Sequence, residues 1–287
     1  MAELNRLNGE IQMQGADPTV FYAWQNDRPG KVNRHFIRAA AESAVKKVVA
    51  KAELVDSPRL DHDTKGLPGA PEIANAIFEK IDSCALFVAD VTFAGSFDPQ
   101  DAGKDSKLLP NSNVILELGY AAAQIGWERI ILVQNTFYGP TTSLPFDLIH
   151  RRHPITYSCD PAIPGSYGDA KTSLTKALEW AIGADLKAQH EAVVRTIARL
   201  DAVCMNFLMS KGNTAYFHLA NPTNPQEVLL YMTNNIGIGR LLDLGVLRYD
   251  CDPQDVGMMW SYKWTYLGKL IIRHLKIFDL FAPTAPH

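Results

Sequence analysis

From Thr19 onward, short apolar runs rich in β-forming residues alternate with stretches of helical periodicity, and each run is followed by a polar or glycine-containing loop. Parallel strands need crossovers long enough to hold a helix, so this alternation predicts βαβ units around a parallel sheet. The strand candidates are TVFYAW from Thr19, AELV from Ala52, ALFVADV from Ala85 and RIILVQN from Arg129, with a fifth around Pro154 to Tyr157. Helices are expected near Asn33 to Ala50, Pro71 to Ile81, Asn111 to Ile125 and Ala170 to Leu186, with Pro71 suited to a first helical position. Residues 19–186 therefore read as one α/β domain behind an N-terminal extension, residues 1–18.

The pattern changes in residues 187–287. A long helix is expected through about Met209, then a short strand near Ala215 to His218, two helices around Gln226 to Asn234 and Ile238 to Leu244, and two β-type runs, GVLRY and MMWSYKWTY. Helices followed by a two-stranded wing give the order of a smaller α+β, winged-helix-like domain. A chain of 287 residues is long enough for both domains. Net charge is only -3, so the total argues for neither a polyanion-binding surface nor an acidic tail. Cys84, Cys159, Cys204 and Cys251 are far apart and form no C-x-x-C pair, against a zinc site and against a disulfide framework. The stretch MAELNRLNGEIQMQG lacks the apolar core of a signal peptide, and no run of about 18 apolar residues suggests a membrane span. A cytoplasmic protein without a membrane partner is the expectation.

Within NSNVILELGYAAAQIG, an almost wholly apolar stretch, Asn113, Glu117, Tyr120 and Gln124 fall at i, i+4, i+7 and i+11. That spacing puts them on one narrow stripe of a helix with a single carboxylate in it, where an ordinary surface helix has a broad charged face. Such a stripe suits the wall of a cleft. It also suits the solvated edge of a core helix, since glutamate is seldom buried, but Val114, Leu116, Leu118 and Ala121 around it favour a partly enclosed carboxyl group.

Ligands of open parallel sheets bind beyond the carboxyl ends of the strands, and polar residues cluster in sequence there. Trp24 and Gln25 follow the first run, Asp61 and Asp63 follow the second in DHDTKGLPGAP, and Asp90 ends the third. A core position for Trp24 and turn or helix caps for Asp63 and Asp90 are the structural alternatives. No G-x-G-x-x-G and no P-loop occurs, which disfavours ordinary dinucleotide-cofactor binding and P-loop phosphoryl transfer. Arg28, Lys31 and Arg34 are the candidates for phosphate countercharge, with a solvated helix start as the alternative.

The segments VFYAWQNDRPGKVNRHFI, DHDTKGLPGAPEIANAIFEKIDSCALFVADV and NSNVILELGYAAAQIGWERIILV together resemble the bacterial TIR-like superfamily, which is related to nucleoside 2-deoxyribosyltransferases. The most specific part is N-x-x-x-E-L-G-Y, here Asn113, Glu117, Leu118, Gly119 and Tyr120. The resemblance spans roughly Thr19 to Tyr157. It implies a flavodoxin-like parallel sheet, a catalytic role for Glu117, and a nucleotide site lined by Trp24, Gln25, Arg34, Asp63, Asp90, Asn113 and Tyr120. It also implies NAD glycohydrolase activity in antiphage defence, with NAD as substrate rather than cofactor and no metal. Assembly into a homo-oligomer or a larger defence complex belongs to the same expectation.

One carboxylate meets the chemical need of that reaction. Breaking the ribose–nicotinamide bond builds positive charge on the sugar, which a carboxylate stabilises or captures, while nicotinamide leaves a pyridinium as a neutral molecule and needs no proton. A purine or pyrimidine base leaves better when protonated, so a deoxyribosyltransferase-like nucleotide N-glycosidase would call on Asp63 or Asp90 as an acid. A non-catalytic nucleotide sensor using the same crevice is a third reading. Residues 187–287 are mildly basic, with 10 Lys and Arg against 8 Asp and Glu. Lys269, Arg273 and Lys276 share a helix face there, while Trp260, Tyr262, Trp264 and Tyr266 alternate along a strand, a row that fits core packing or base stacking. A constitutive NAD hydrolase is toxic, so this domain is expected to restrain the enzyme in response to a nucleic acid or a protein regulator.

Overall fold

The computed structural model describes residues 19–51, 58–62, 73–99, 106–150, 153–163, 167–212, 214, 216–218, 224–250, 261–275 and 277. These fall into two compact units that divide between Lys187 and Ala188. Along the first run β1 (Thr19–Ala23), α1 (Arg34–Lys51), β2 (Arg59–Asp61), α2 (Ile73–Ser83), β3 (Leu86–Asp90), β4 (Phe93–Phe97), β5 (Lys107–Pro110), α3 (Ser112–Gln124), β6 (Ile130–Asn135), α4 (Phe146–Ile149), β7 (Ile155–Tyr157) and the start of α5 (Tyr167–Ile197), whose last residues, from Ala188, belong to the second.

Five of these strands form one parallel sheet in the order β2-β1-β3-β6-β7. Counted within the sheet alone, the order is 2-1-3-4-5, consistent with a flavodoxin-like core whose switch point lies between β1 and β3. The chain leaves these two strands toward opposite edges of the sheet, which opens a crevice at their carboxyl ends. Both faces are covered, as a parallel sheet requires. Phe21, Ala23, Phe87, Ala89 and Leu132 pack in one cluster with Ile81 of α2 and Val114, Leu118 and Ala121 of α3. Val20, Tyr22, Leu86 and Val88, the alternate residues of β1 and β3, are fully buried as well. Helices α1 and α5 are neighbours: Val48 lies against Gly183, and Glu179 pairs with both Lys47 and Lys51.

The structure departs from the sequence reading at the second strand. AELV, from Ala52, lies outside the described residues, and the segment paired with β1 is Arg59–Asp61, with Phe21 opposite Asp61. Asp61 thus ends this strand instead of following it. A three-residue edge strand of sequence RLD, nowhere fully buried, has no apolar run to announce it. The antiparallel pair β4–β5 was also not foreseen, because its strands, FAGSF and KLLP, carry glycine, serine and proline at positions that read as loop.

The second unit holds α6 (Ala202–Lys211), β8 (Tyr216–His218), α7 (Pro225–Asp243), β9 (Leu247–Asp250), β10 (Ser261–Trp264) and α8 (Tyr266–His274). Its strands form an antiparallel sheet in the order β8-β10-β9. The long helix expected through Met209 is broken: α5 ends at Ile197, and Asp201 caps α6 by accepting the Cys204 N–H at 2.9 Å. Conversely, the two helices expected within 226–244 are a single helix, α7. Gly237 is no helix breaker; it lies where α7 packs on α6, and a Cβ there would meet Val203 Cγ1 at 3.4 Å and Phe207 Cβ at 3.5 Å, ordinary packing contacts. Tyr262 and Trp264 of the aromatic row are core residues, packed with Phe207, Leu241 and Ile271. The Trp264 indole donates to the Thr214 carbonyl at 2.9 Å. Tyr266 opens α8, while Trp260 and Lys276 lie outside the described residues.

Candidate active site

Helix α3 enters its first turn through Asn111, whose Oδ1 accepts the N–H groups of Asn113 and Val114 at 2.9 and 3.0 Å. The other end of that amide donates to Asp27 Oδ2 at 2.6 Å, so one side chain both caps the helix and ties it to the loop after β1. Val114, Leu118 and Ala121, at i, i+4 and i+7, bury the core face of α3. Glu117 falls one position aside from Leu118, at the margin between core and crevice.

That crevice is a cleft of about 460 Å³ at the carboxyl end of β1. Its walls are Phe21 to Asp27, His62 after β2, Ile77 of α2, and Asn111, Asn113 and Glu117 of α3. The size suits a ligand on the nucleotide scale. Burial alone lifts the Glu117 carboxyl from its ordinary range to about 7. Among the described residues, none donates a hydrogen bond to it. Leu116, counted in the sequence reading among the residues enclosing this carboxyl, is 64% exposed and takes no part in the enclosure.

Trp24 and Gln25 also line the cleft, in different ways. The Trp24 indole donates to the His62 carbonyl at 2.6 Å, joining the ends of β1 and β2. Arg34 lies over its ring, with the guanidinium carbon 3.3 Å from the ring centroid and Nη1 donating to Asn26 Oδ1 at 3.2 Å. Arg34 thus braces one wall without itself lining the cleft, its charge held against Trp24 and Asn26, which do line it. Gln25 is 1% exposed and engaged at both ends of its amide, donating to the Thr92 carbonyl and accepting the Asp27 N–H. Its work is to shape the loop.

Two expected site residues point elsewhere. Asp90 is fully buried: Asn33 Nδ2 donates to its carboxylate at 3.2 Å and the Thr92 N–H at 3.0 Å. Burial raises it to about 6 against the opposing pull of those bonds, and it does not line the cleft. Asn33 in turn accepts from Asn135, whose amide also bonds the Val32 and Cys159 carbonyls, so Asp90 belongs to a polar network that fastens the first loop to β6 and the chain after β7. Tyr120 stacks on Phe78 with centroids 4.2 Å apart and donates to Asp82 Oδ1 at 3.0 Å, joining α3 to α2 outside the cleft. Asp63 lies outside the described residues. Of the candidate phosphate partners besides Arg34, Arg28 donates to the Phe93 carbonyl and lies over the Tyr138 ring, and Lys31 is exposed.

The sequence reading missed Asn26, Asp27, His62, Ile77 and Asn111 as cleft residues, along with Phe21 to Ala23 of β1. Asn111 had a readable signal, an asparagine directly before an apolar helical run. Asn111→Ala is expected to lower the melting temperature by about 2–4 °C, through loss of a cap worth about 1 kcal/mol. Asn111→Ser, which keeps a capping oxygen, recovers most of that loss in the same thermal melt; equal melting of all three proteins would contradict this.

Among the described residues, no group of three or more His, Cys, Asp or Glu could hold a metal ion, and no helix is long and apolar enough to cross a membrane. Neither the models of known protein families nor the curated proteins yield a match to this chain.

Proposed function

We propose that this protein is an NAD glycohydrolase of TIR-like type, and that Glu117 is its catalytic residue. The reading rests on one observation: a half-buried carboxyl group with no described hydrogen-bond donor, raised to about 7, in a nucleotide-sized cleft at the carboxyl end of β1. A carboxylate that no described side chain neutralises is suited to meet positive charge in the complex. In the reaction, the bond from the ribose C1′ to the nicotinamide nitrogen breaks, and its electron pair neutralises the pyridinium. Glu117 stabilises or captures the cationic sugar; water then adds at C1′ and loses a proton to bulk solvent.

The absence of a proton requirement at the leaving group favours NAD over a nucleoside. Among the described residues lining the cleft, the carboxylate besides Glu117 is Asp27, bonded to Asn111, while Asp90 is held by Asn33 and Thr92. Trp24 offers an aromatic wall for a ring, and Arg34, held against it, a charge for phosphate. By the same resemblance we assign the activity to antiphage defence. We also assign to the second unit, expected from its sequence to be winged-helix-like, the control of the enzyme by a nucleic acid or protein. Incubation with NAD and, separately, with deoxynucleosides tests the substrate: free nicotinamide is expected from the first and no free base from the second. Base release without nicotinamide release would move the protein to the deoxyribosyltransferase-like class.

A further inference from the structure

At the amino end of β6 the first unit holds another cavity, of about 430 Å³, formed with the start of β7 and with α5. It shares no residue with the cleft of Glu117. The cavity arises from a mismatch in strand length. On one side β6 pairs with β3 from Ile130 to Val133, but on the other β7 pairs only with Val133–Asn135. Among the described residues, no strand lies beside Ile130, Ile131 and Leu132 on that side, which leaves a notch about 10 Å long in the sheet. Helix α5 covers the notch without filling it. Its core positions are the buried Leu174, Leu178 and Ile182, whereas the residues it sets along the cavity at i, i+4 and i+8 are Ser173, Ala177 and Ala181. Two methyl groups stand where larger side chains would close the space.

The remaining lining selects a ligand. Trp180 borders the cavity and is 67% exposed, a large aromatic surface that a flat apolar body can cover. The polar side chains around it are His153, Ser173 and Lys176, and none of the three is hydrogen-bonded or ion-paired to another described residue. Among the described residues, no Asp or Glu lines the cavity, and Glu179, the nearest along α5, pairs instead with Lys47 and Lys51. An apolar hollow of this size with a few convergent polar groups has the form of a small-molecule site. We propose that it binds a small organic carboxylate with a flat apolar body. The body lies between Trp180 and the open edge of β6, and the carboxylate pairs with Lys176, with Ser173 and His153 as further donors. A lone cation with no acid beside it favours the anion over a neutral or cationic molecule of the same shape. The site stands whether or not Glu117 cleaves NAD.

Calorimetric titration of the full-length protein with 2-naphthoate tests this, with naphthalene-2-methanol as the uncharged counterpart. The wild type is expected to bind naphthoate saturably at one site per chain, with a Kd below about 1 mM, and the alcohol more weakly. Ala177→Leu, which fills the hollow, should weaken both by about tenfold or more with an unaltered circular dichroism spectrum. Lys176→Glu, changed at an exposed position, should weaken naphthoate by about fivefold or more and leave the alcohol unchanged. A wild type with no saturable binding up to about 1 mM overturns the proposal. Naphthoate binding by either variant as tight as that of the wild type overturns it too, as does an alcohol bound as tightly as the carboxylate.

Discussion

Glu117→Gln is expected to lower NAD cleavage by about 10³-fold or more, with the fold intact and KM little changed. Glutamine has the shape of glutamate and fits the same wall of the cleft, so substrate still enters. It cannot ionise, and it cannot take the anomeric carbon of a departing sugar. The loss therefore falls on kcat, because the missing interaction exists only once charge has developed on the ribose. Steady-state measurement of nicotinamide release reads this directly. A variant within tenfold of the wild type would remove Glu117 from the chemistry and favour a binding protein.

The same substitution is expected to make the protein more stable at neutral and alkaline pH, and not below about pH 4.5. Burial raises the folded-state pKa of Glu117 to about 7, above the ordinary value of 4.5, so the folded form holds the proton more tightly than the unfolded chain. Stability is accordingly lost as pH rises from about 4.5 through 7 and levels off above. Each pKa unit corresponds to about 1.4 kcal/mol, and partial exposure to water reduces the total to about 1–2 kcal/mol. Glutamine escapes this cost. Its melting temperature should exceed that of the wild type by about 3–6 °C at pH 8 and match it near pH 4. Equal melting at pH 8 would mean that the carboxyl is hydrated or partnered in solution. A gain in stability with a loss of turnover is the signature of a site held in an unfavourable state for its function.

The parts of this architecture legible from sequence are those whose burial leaves a repeating mark. LFVAD and IILVQN are buried along their whole length and read as unbroken apolar or nearly apolar runs. The stripe containing Glu117 was legible because α3 is otherwise apolar. Its extent was not: at about 1.5 Å per residue, Tyr120 stands a further turn along the helix, beyond the cleft and against Phe78. Asp90 was misjudged for want of a parity count. Phe87 and Ala89 face α3, so the next residue faces the opposite side of the sheet, where Asn33 and Asn135 wait. His62 left no mark, because it follows a polar edge strand held by backbone pairing with β1 and not by an apolar pattern.

The most direct test of the central claim is the pH dependence of kcat/KM for nicotinamide release from NAD, taken in parallel for the wild type and Glu117→Gln. For the wild type, kcat/KM should rise with pH through about 7, as the free enzyme's carboxyl ionises, and then flatten; the variant should stay low and flat throughout. A wild-type rate that falls as pH rises through 7, or equal release by the two proteins, would contradict the role assigned to Glu117.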